Sequence, residues 1–423
     1  MQHDTEMPKE KMKEAEAVQD GSILNFVGTG GTTQPLNFSY PCISNTLAHT
    51  LSLRLNKGNG VISADELRKI NAIYYPKNKD KDNDKDNDKS KPIYRCVDGE
   101  GKLTDFSIME IRLIKLLSAM INIYDPETAA AIEKANNTLT ENGSFNVVMG
   151  EDAPSKTFRN VPIENLCKLL MRGRKGIEQM EATTKALNRL RNCRLAIPYK
   201  VNDKVTILRC GESLINYTNP IYVQYSELHA KGDTRGRKVT DADKLKKLKS
   251  QTFLVAADIT LNSPFLHKLD VRRSPLSLKY FDIANNTKVF HILCSDLEGK
   301  YENHYVAYQK TRRNFHKREG MAALKKADEP QYNKLLKEAE TEALTYECKI
   351  ETLKTRLHED YDDRRKKGRF SSYLGKAIED LISYGIITPE SYISKGEKKL
   401  YFVFNIDFQK EAAEYNKNYL QML

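Results

Sequence analysis

Two basic runs carry the side chains most able to bind a charged partner. Residues 172–176 read Arg-Gly-Arg-Lys-Gly and residues 364–369 read Arg-Arg-Lys-Lys-Gly-Arg. Each run leads into a stretch whose apolar residues recur at helical spacing. Guanidinium and ammonium groups pair with phosphate, and guanidinium also bridges two acceptors of guanine. The chemistry that these runs favour is therefore contact with a polyanion at the start of a helix.

Three sets of residues are candidate contacts to nucleic acid: the basic runs, the outward positions of the helices that follow them, and the lysines of a later turn. They are Arg172, Arg174, Lys175, Gln179, Lys185, Arg189, Arg364, Arg365, Lys366, Lys367, Arg369, Ser372, Lys376, Lys395, Lys398 and Lys399. By side-chain chemistry Gln179 suits adenine, Lys185 suits phosphate and Arg189 suits guanine. Glu178 and Glu379 also face outward and would repel phosphate. The alternative for both runs is an ordinary solvated basic loop.

Motifs for catalysis are not found in the sequence. The eight histidines include no His-x-His pair, and phosphate-loop and nucleophile-elbow patterns are missing as well. Asp360, Asp362 and Asp363 lie on a polar stretch, where carboxylates are usually solvated. We therefore expect a binding protein rather than an enzyme, with no catalytic residue, no cofactor and no metal.

The elements around the second run predict how its side chains are positioned. An apolar stripe that includes Phe370, Tyr373, Leu374 and Leu381 predicts a helix that ends near Tyr384, before Gly385. Residues 394–399 then predict a hairpin tip, and the alternation from 400 to 404 predicts a strand. A helix followed directly by a basic-tipped hairpin is the end of a winged helix.

The same order of elements occurs earlier in the chain. Ser107 and Glu110 predict a capping box that opens a long apolar helix. A short helix near 163–170, a second helix over 177–192 and a hairpin turn at 201–204 follow it. This duplication predicts an α+β, mainly helical fold with two tandem winged-helix domains. The polar composition of the first residues predicts a disordered N-terminal region.

Composition and patterning predict the domain organisation. The segments are a disordered tail (1–20), an accessory N-terminal segment (21–76), a low-complexity linker (77–91), a first winged helix (92–228), a basic connector (229–251), a second winged helix with a charged helical insertion (252–408) and a C-terminal tail (409–423). The chain has 423 residues and a formal net charge of +11. That excess suits a polyanionic partner. No apolar run is long enough to cross a bilayer, so we expect a cytoplasmic protein without membrane contact.

Over residues 103–408 the sequence resembles plasmid replication initiators that have two tandem winged helices. The resemblance rests on Ser107-x-x-Glu110 before IMEIRLIKLL, on PIENLCKLL with its following helix and hairpin, and on KVFHILCSDLEG at residues 288–299. It implies binding to repeated double-stranded DNA sites at an origin, mainly through the second winged helix. It also implies a homodimer and host replication proteins as partners. The N-terminal hundred residues and the long charged connector depart from the family pattern.

Two other functions are compatible with the same residues. A winged-helix transcription regulator would use the same DNA-binding surface without initiating replication. A plasmid mobilisation or nicking enzyme would need a catalytic site of a kind that the sequence does not reveal.

Overall fold

The computed structural model describes residues 25–27, 33–35, 42–51, 95–122, 125–141, 154–171, 177–200, 206–224, 252–267, 274–284, 287–357, 364–394, 396 and 398–422. The described chain is mainly helical with small antiparallel sheets, as the predicted fold class requires. The predictions for the tail (1–20), the linker (77–91), the turn at 201–204 and the connector (229–251) fall outside the described residues.

The helices are numbered in chain order. They are α1 (Asn45–Leu51), α2 (Ile108–Ala119), α3 (Pro126–Glu141), α4 (Ile163–Leu170), α5 (Ile177–Asn192), α6 (Ser263–Leu266), α7 (Lys288–Asn314), α8 (Met321–Ala327), α9 (Glu329–Leu344), α10 (Ile350–Leu357), α11 (Arg364–Tyr384) and α12 (Phe408–Met422).

The strands form four antiparallel groups. They are β1 (Asn25–Val27), β2 (Thr33–Pro35), β3 (Cys42–Ile43), β4 (Arg95–Val97), β5 (Leu103–Thr104), β6 (Lys156–Pro162), β7 (Arg194–Lys200), β8 (Thr206–Ser213), β9 (Ile215–Gln224), β10 (Thr252–Leu261), β11 (Ser274–Pro275), β12 (Thr345–Lys349), β13 (Tyr392–Ser394) and β14 (Lys399–Val403). Their orders are β2-β1-β6-β10-β9, β11-β3, β5-β4-β7-β8 and β12-β14-β13.

One order of elements occurs twice. The first repeat runs α2, β6, α4, α5 and the β9–β10 hairpin, and the second runs α7, β12, α10, α11 and the β13–β14 hairpin. In each repeat the last strand lies between the two others, because β10 pairs with β6 and β9 while β14 pairs with β12 and β13. Each repeat also has a helical insertion after its first helix. A helix, a strand, a short helix, a longer helix and a hairpin therefore follow one another in this order in both repeats.

The pairing of β10 corrects two predictions. The hairpin predicted as the first wing, β7–β8, does form, but it joins the sheet of β4 and β5. The hairpin that pairs with β6 is instead β9–β10, whose strands pair from Thr252 opposite Gln224 to Leu261 opposite Ile215. The predicted boundary at residue 252 therefore cuts through a hairpin and is wrong. Residues 225–251 connect its two strands.

The two ends of the chain also pack onto the repeats. The accessory segment contributes β3, which pairs with β11, and α1, whose Leu47 and Ala48 are fully buried beside α7. The predicted C-terminal tail is instead the helix α12. Its Asn416 is buried and accepts a hydrogen bond from the backbone N–H of Leu278 at 2.6 Å. Phe408 and Ala412, at the same helical spacing, are buried as well, so one side of α12 packs onto the body of the protein.

A buried ion pair joins the first helices of the two repeats. Lys115 on α2 and Glu298 on α7 have fully buried side chains, and Nζ lies 2.6 Å from Oε2. Burial works to lower the pKa of Lys115, but the neighbouring Cys294 and Glu298 outweigh it and raise the pKa above its usual value. Nearby, Arg112 on α2 donates to the carbonyls of Leu170 and Phe281. The two repeats therefore share one core.

We expect Lys115→Met to lower the free energy of unfolding by about 3–5 kcal/mol, because the Glu298 carboxylate would stay buried without its counter-charge. The double variant Lys115→Met/Glu298→Leu should recover much of that loss, since neither charge then has to be desolvated. Urea denaturation of the full chain measures both values. A double variant less stable than Lys115→Met would show that the pair is not what holds these helices together.

Candidate nucleic-acid interface

Helix α11 has one buried side and one exposed side. Phe370, Leu374 and Leu381 are at most 3% exposed and form the buried side, as predicted. Arg369 and Lys376 are exposed on the other side. Gly385 ends the helix with a φ of +94°, and its N–H donates to the Leu381 carbonyl at 3.1 Å.

We define the outer face of α11 as four of its exposed residues near the N-terminal half, leaving out the neighbouring Ser371. They are Arg369, Ser372, Tyr373 and Lys376. Within the described part of the chain, neither Arg369 nor Lys376 forms an ion pair. Tyr373 was predicted to lie on the apolar stripe, but it is 39% exposed. The outer face therefore presents two cations, a hydroxyl and an aromatic ring to solvent.

The buried ion pair also fixes the far end of α11. The Tyr384 hydroxyl donates to Oε1 of Glu298 at 2.8 Å and accepts from the N–H of Ser277 at 3.1 Å. Burial raises the pKa of Tyr384 well above its usual range, so the hydroxyl keeps its proton as a donor. The carboxylate that pairs with Lys115 thus also holds α11, and with it the orientation of the outer face.

The second basic run forms the first turns of α11 rather than a loop before it. Arg364, Arg365, Lys366 and Lys367 are helical, although their side chains lie outside the described part of the structure. The positive end of a helix dipole disfavours cations and favours anions. The first turn contains no acidic residue that would offset the basic charges. An anionic partner at this end would relieve that repulsion.

The β13–β14 hairpin follows α11 and is bonded to the segment after the helix, where the Thr388 N–H donates to the Val403 carbonyl at 2.8 Å. The hairpin places the predicted lysines differently. Lys398 is exposed, with a φ of +53°, and its carbonyl accepts from the N–H of Ile350 at 3.0 Å. Lys399 is half-buried, and its Nζ lies 3.0 Å from Oε1 of Glu347 on β12. Its charge is therefore already paired, contrary to the prediction of an open contact. Lys395 lies outside the described residues.

Two tyrosines on this hairpin were not among the predicted contacts. Tyr392 is 55% exposed, and its ring stacks on that of Tyr401 with centroids 4.9 Å apart. They are directly opposite each other on β13 and β14. The period-two pattern of residues 400–404 does place Tyr401 outward, but nothing nearby in sequence indicates its partner.

Two of the predicted contacts that the structure describes in the first repeat already have carboxylate partners. Lys185 is exposed but pairs with Glu181 at 3.4 Å, and Gln179 is half-buried. Arg189 lies 3.1 Å from Glu110. Arg172, Arg174 and Lys175 lie outside the described residues.

Arg189 was predicted to be able to contact guanine, and in the structure its side chain already has partners within the protein. Its guanidinium is held by the Glu110 carboxylate, the Thr104 hydroxyl and the Asp105 carbonyl. Glu110 is itself part of the capping box predicted with Ser107, which is present. Arg189 therefore ties the end of α5 to the start of α2. A helical wheel shows that Arg189 faces outward but not which element lies beside it.

In the part of the chain that the structure describes, no group of three or more His, Cys, Asp and Glu residues is placed to hold a metal ion. None of the described helices is both long enough and apolar enough to cross a membrane. Comparison with protein-family models, with curated proteins and with solved structures found no match for this chain.

The two sides of α11 should respond differently to truncation. Leu381→Ala should lower the free energy of unfolding by about 2–5 kcal/mol, because it leaves a cavity in the core. Arg369→Ala should change it by less than about 0.5 kcal/mol, because its side chain is exposed. Chemical denaturation of the full chain measures both. Equal stability losses in the two variants would mean that α11 is oriented differently.

Proposed function

We propose that this protein binds double-stranded DNA in a sequence-specific manner, with each repeat forming a winged helix. In this proposal α5 and α11 are the third helices, and β9–β10 and β13–β14 are the wings. A winged helix inserts its third helix in the major groove and lays its hairpin on the adjacent backbone. The observation that carries the proposal is the outer face of α11, whose Arg369 and Lys376 form no ion pair within the described residues and lie opposite a buried stripe, with the hairpin following the helix.

The second repeat is the main reader of sequence in this proposal. Arg369 and Lys376 suit guanine and phosphate, and Ser372 can bond to either partner. In the first repeat Arg189 and Lys185 already have carboxylate partners. The first repeat would then contribute backbone contacts and positioning.

The biological role that we propose is initiation of plasmid replication through repeated sites at an origin, in the cytoplasm. Its support is the resemblance of residues 103–408 together with the duplicated element order. A homodimer and host replication proteins are the further partners that the resemblance implies. The protein acts without catalysis or cofactor of its own. A transcription regulator is the alternative, because it would use the same surface.

Selection of bound fragments from a random duplex library tests the proposal with the full chain. Enrichment of one sequence motif is the expected result, and recovery of unenriched DNA would reject sequence-specific binding. The position of the motif near the gene separates the two roles. Clustered direct repeats beside an AT-rich segment indicate initiation, and a single inverted repeat at a promoter indicates regulation.

Arg369→Ala should weaken binding to the selected site by about 1–3 kcal/mol and relax the preference at one base pair. Lys398→Ala should weaken binding to all sequences alike and reduce the salt slope by about one unit. Fluorescence anisotropy over a salt series measures both effects.

Glu379→Ala is the matched control, since Glu379 is exposed on the same helix but carries the charge that phosphate repels. This variant should bind at least as tightly as the unchanged protein. If Glu379→Ala weakened binding as much as Arg369→Ala, the effect would come from perturbing α11 rather than from losing a contact.

A further inference from the structure

The insertion in the second repeat forms a helical arm, which we define as residues 302–344. It consists of the C-terminal part of α7, the short helix α8 and the antiparallel return along α9. Its outer end has a small apolar cluster of its own. Phe315 and Tyr332 are 3% and 6% exposed, and their rings meet edge to face with centroids 5.4 Å apart. Both rings are outside the main core, whose last member on α7 is Tyr308.

The arm extends beyond the main core of the protein. The last core residue on α7 is Tyr308, which is buried. From Tyr308 to Asn314 the helix continues for ~9 Å at the rise of an α-helix. The outer cluster packs the residue after α7 against α9, so contacts within the arm stabilise its far end.

The far end of the arm is strongly basic. We define the tip as residues 310–329, which contain seven Lys or Arg and three Asp or Glu. All the basic residues are exposed: Lys310, Arg312, Arg313, Lys317, Arg318, Lys325 and Lys326. One of the acids, Asp328, caps α9 by accepting from the N–H of Gln331.

Two of the cations are positioned by the outer cluster. The Arg318 guanidinium lies 5.0 Å from the Phe315 ring centroid, and the Lys325 ammonium lies 5.6 Å from that of Tyr332. A cation over an aromatic face is attracted by the ring and loses some of its freedom. These charges are therefore partly ordered before any partner binds, which lowers the entropy cost of binding.

The base of the arm, where α9 ends, lies beside the hairpin that we assign to the wing. Helix α9 ends at Leu344 and β12 begins at Thr345, and β12 pairs with β14 along its whole length. The Leu344 carbonyl also accepts from the N–H of Phe404 at 3.0 Å. A duplex bound by α11 and the hairpin would pass close to the base of the arm. The ~9 Å by which α7 continues past the core equals about three base pairs at 3.4 Å per step.

We propose that the tip is a second DNA-binding site, which contacts the phosphate backbone of the duplex flanking the site read by α11. This inference rests on the proposed function. The tip would add affinity and salt dependence without reading sequence, because its side chains suit phosphates. Its reach would also lengthen the region of DNA that one molecule covers.

The test compares two triple variants of the full chain on a 40-base-pair duplex. The tip variant is Lys310→Gln/Lys317→Gln/Lys326→Gln. The control, Lys102→Gln/Lys410→Gln/Lys417→Gln, removes the same charge from exposed lysines elsewhere. We expect the tip variant to lose close to one unit of salt slope for each phosphate contact removed. The control should keep the slope of the unchanged protein.

A charge-conserving variant separates contact from folding. Lys310→Arg/Lys317→Arg/Lys326→Arg should keep the slope of the unchanged protein, because phosphate accepts either cation. Equal salt slopes of the binding affinity for the tip variant and the control would overturn the proposal. That result would favour an acidic protein as the partner of the tip. Salt-independent binding by the unchanged protein would instead reject the proposed function, and the role of the tip with it.

Discussion

The ion pair between Lys115 and Glu298 is the interaction on which the arrangement of the two repeats depends. Moving two such charges out of water costs several kcal/mol each, and their attraction offsets that cost only when further hydrogen bonds complete the site. Glu298 has those bonds, because the Tyr384 hydroxyl donates to it at 2.8 Å and the Cys294 thiol lies 3.4 Å away. One carboxylate therefore connects α2, α7 and α11. A substitution at this site would therefore affect both the packing of the shared core and the orientation of the helix that we assign to base recognition.

The link from Glu298 to Tyr384 explains how the exposed outer face of α11 can have a fixed orientation. The outer face of α11 is open to solvent, so its orientation is set from the opposite side of the helix. Leu374 and Leu381 anchor the middle of the helix, and Tyr384 anchors its end. The β12–β14–β13 sheet adds the hairpin that follows it, and the arm leaves the body from the edge of the same sheet. Contacts to base edges require this kind of rigid support, because a small displacement removes the hydrogen bonds.

The sequence predicted the elements whose causes are local. The Ser107–Glu110 capping box, the buried stripe of α11 and its end at Gly385 all depend on residues within a few positions of one another, and all three are present. The pairing of β10 with β9 was missed because it joins strands separated by 27 residues, where no turn signal sets the register. The nearby hairpin β7–β8 had the stronger local signal. Strand pairing across long connections is decided by the sheet as a whole.

The same distinction applies to the candidate site. Arg369, Ser372 and Lys376 were predicted from the helical wheel, and each is exposed as expected. Arg189 was assigned by the same reasoning and Lys399 as a lysine of the hairpin, yet each meets a carboxylate from a distant segment, Glu110 and Glu347. The basic tip of the arm was described only as a charged stretch, because its meaning depends on α7 and α9 packing together. Sequence periodicity gives the direction of a side chain but not its tertiary neighbours.

Lysine acetylation of the full chain, with and without a 40-base-pair duplex and read by mass spectrometry, tests the central claim most directly. The claim is that DNA lies against α11 and the β13–β14 hairpin. Lys376 and Lys398 should then be protected when DNA is bound, while Lys102 and Lys410 should react equally in both states, since all four are exposed in the free protein. Equal acetylation of Lys376 and Lys398 with and without bound DNA would contradict the account.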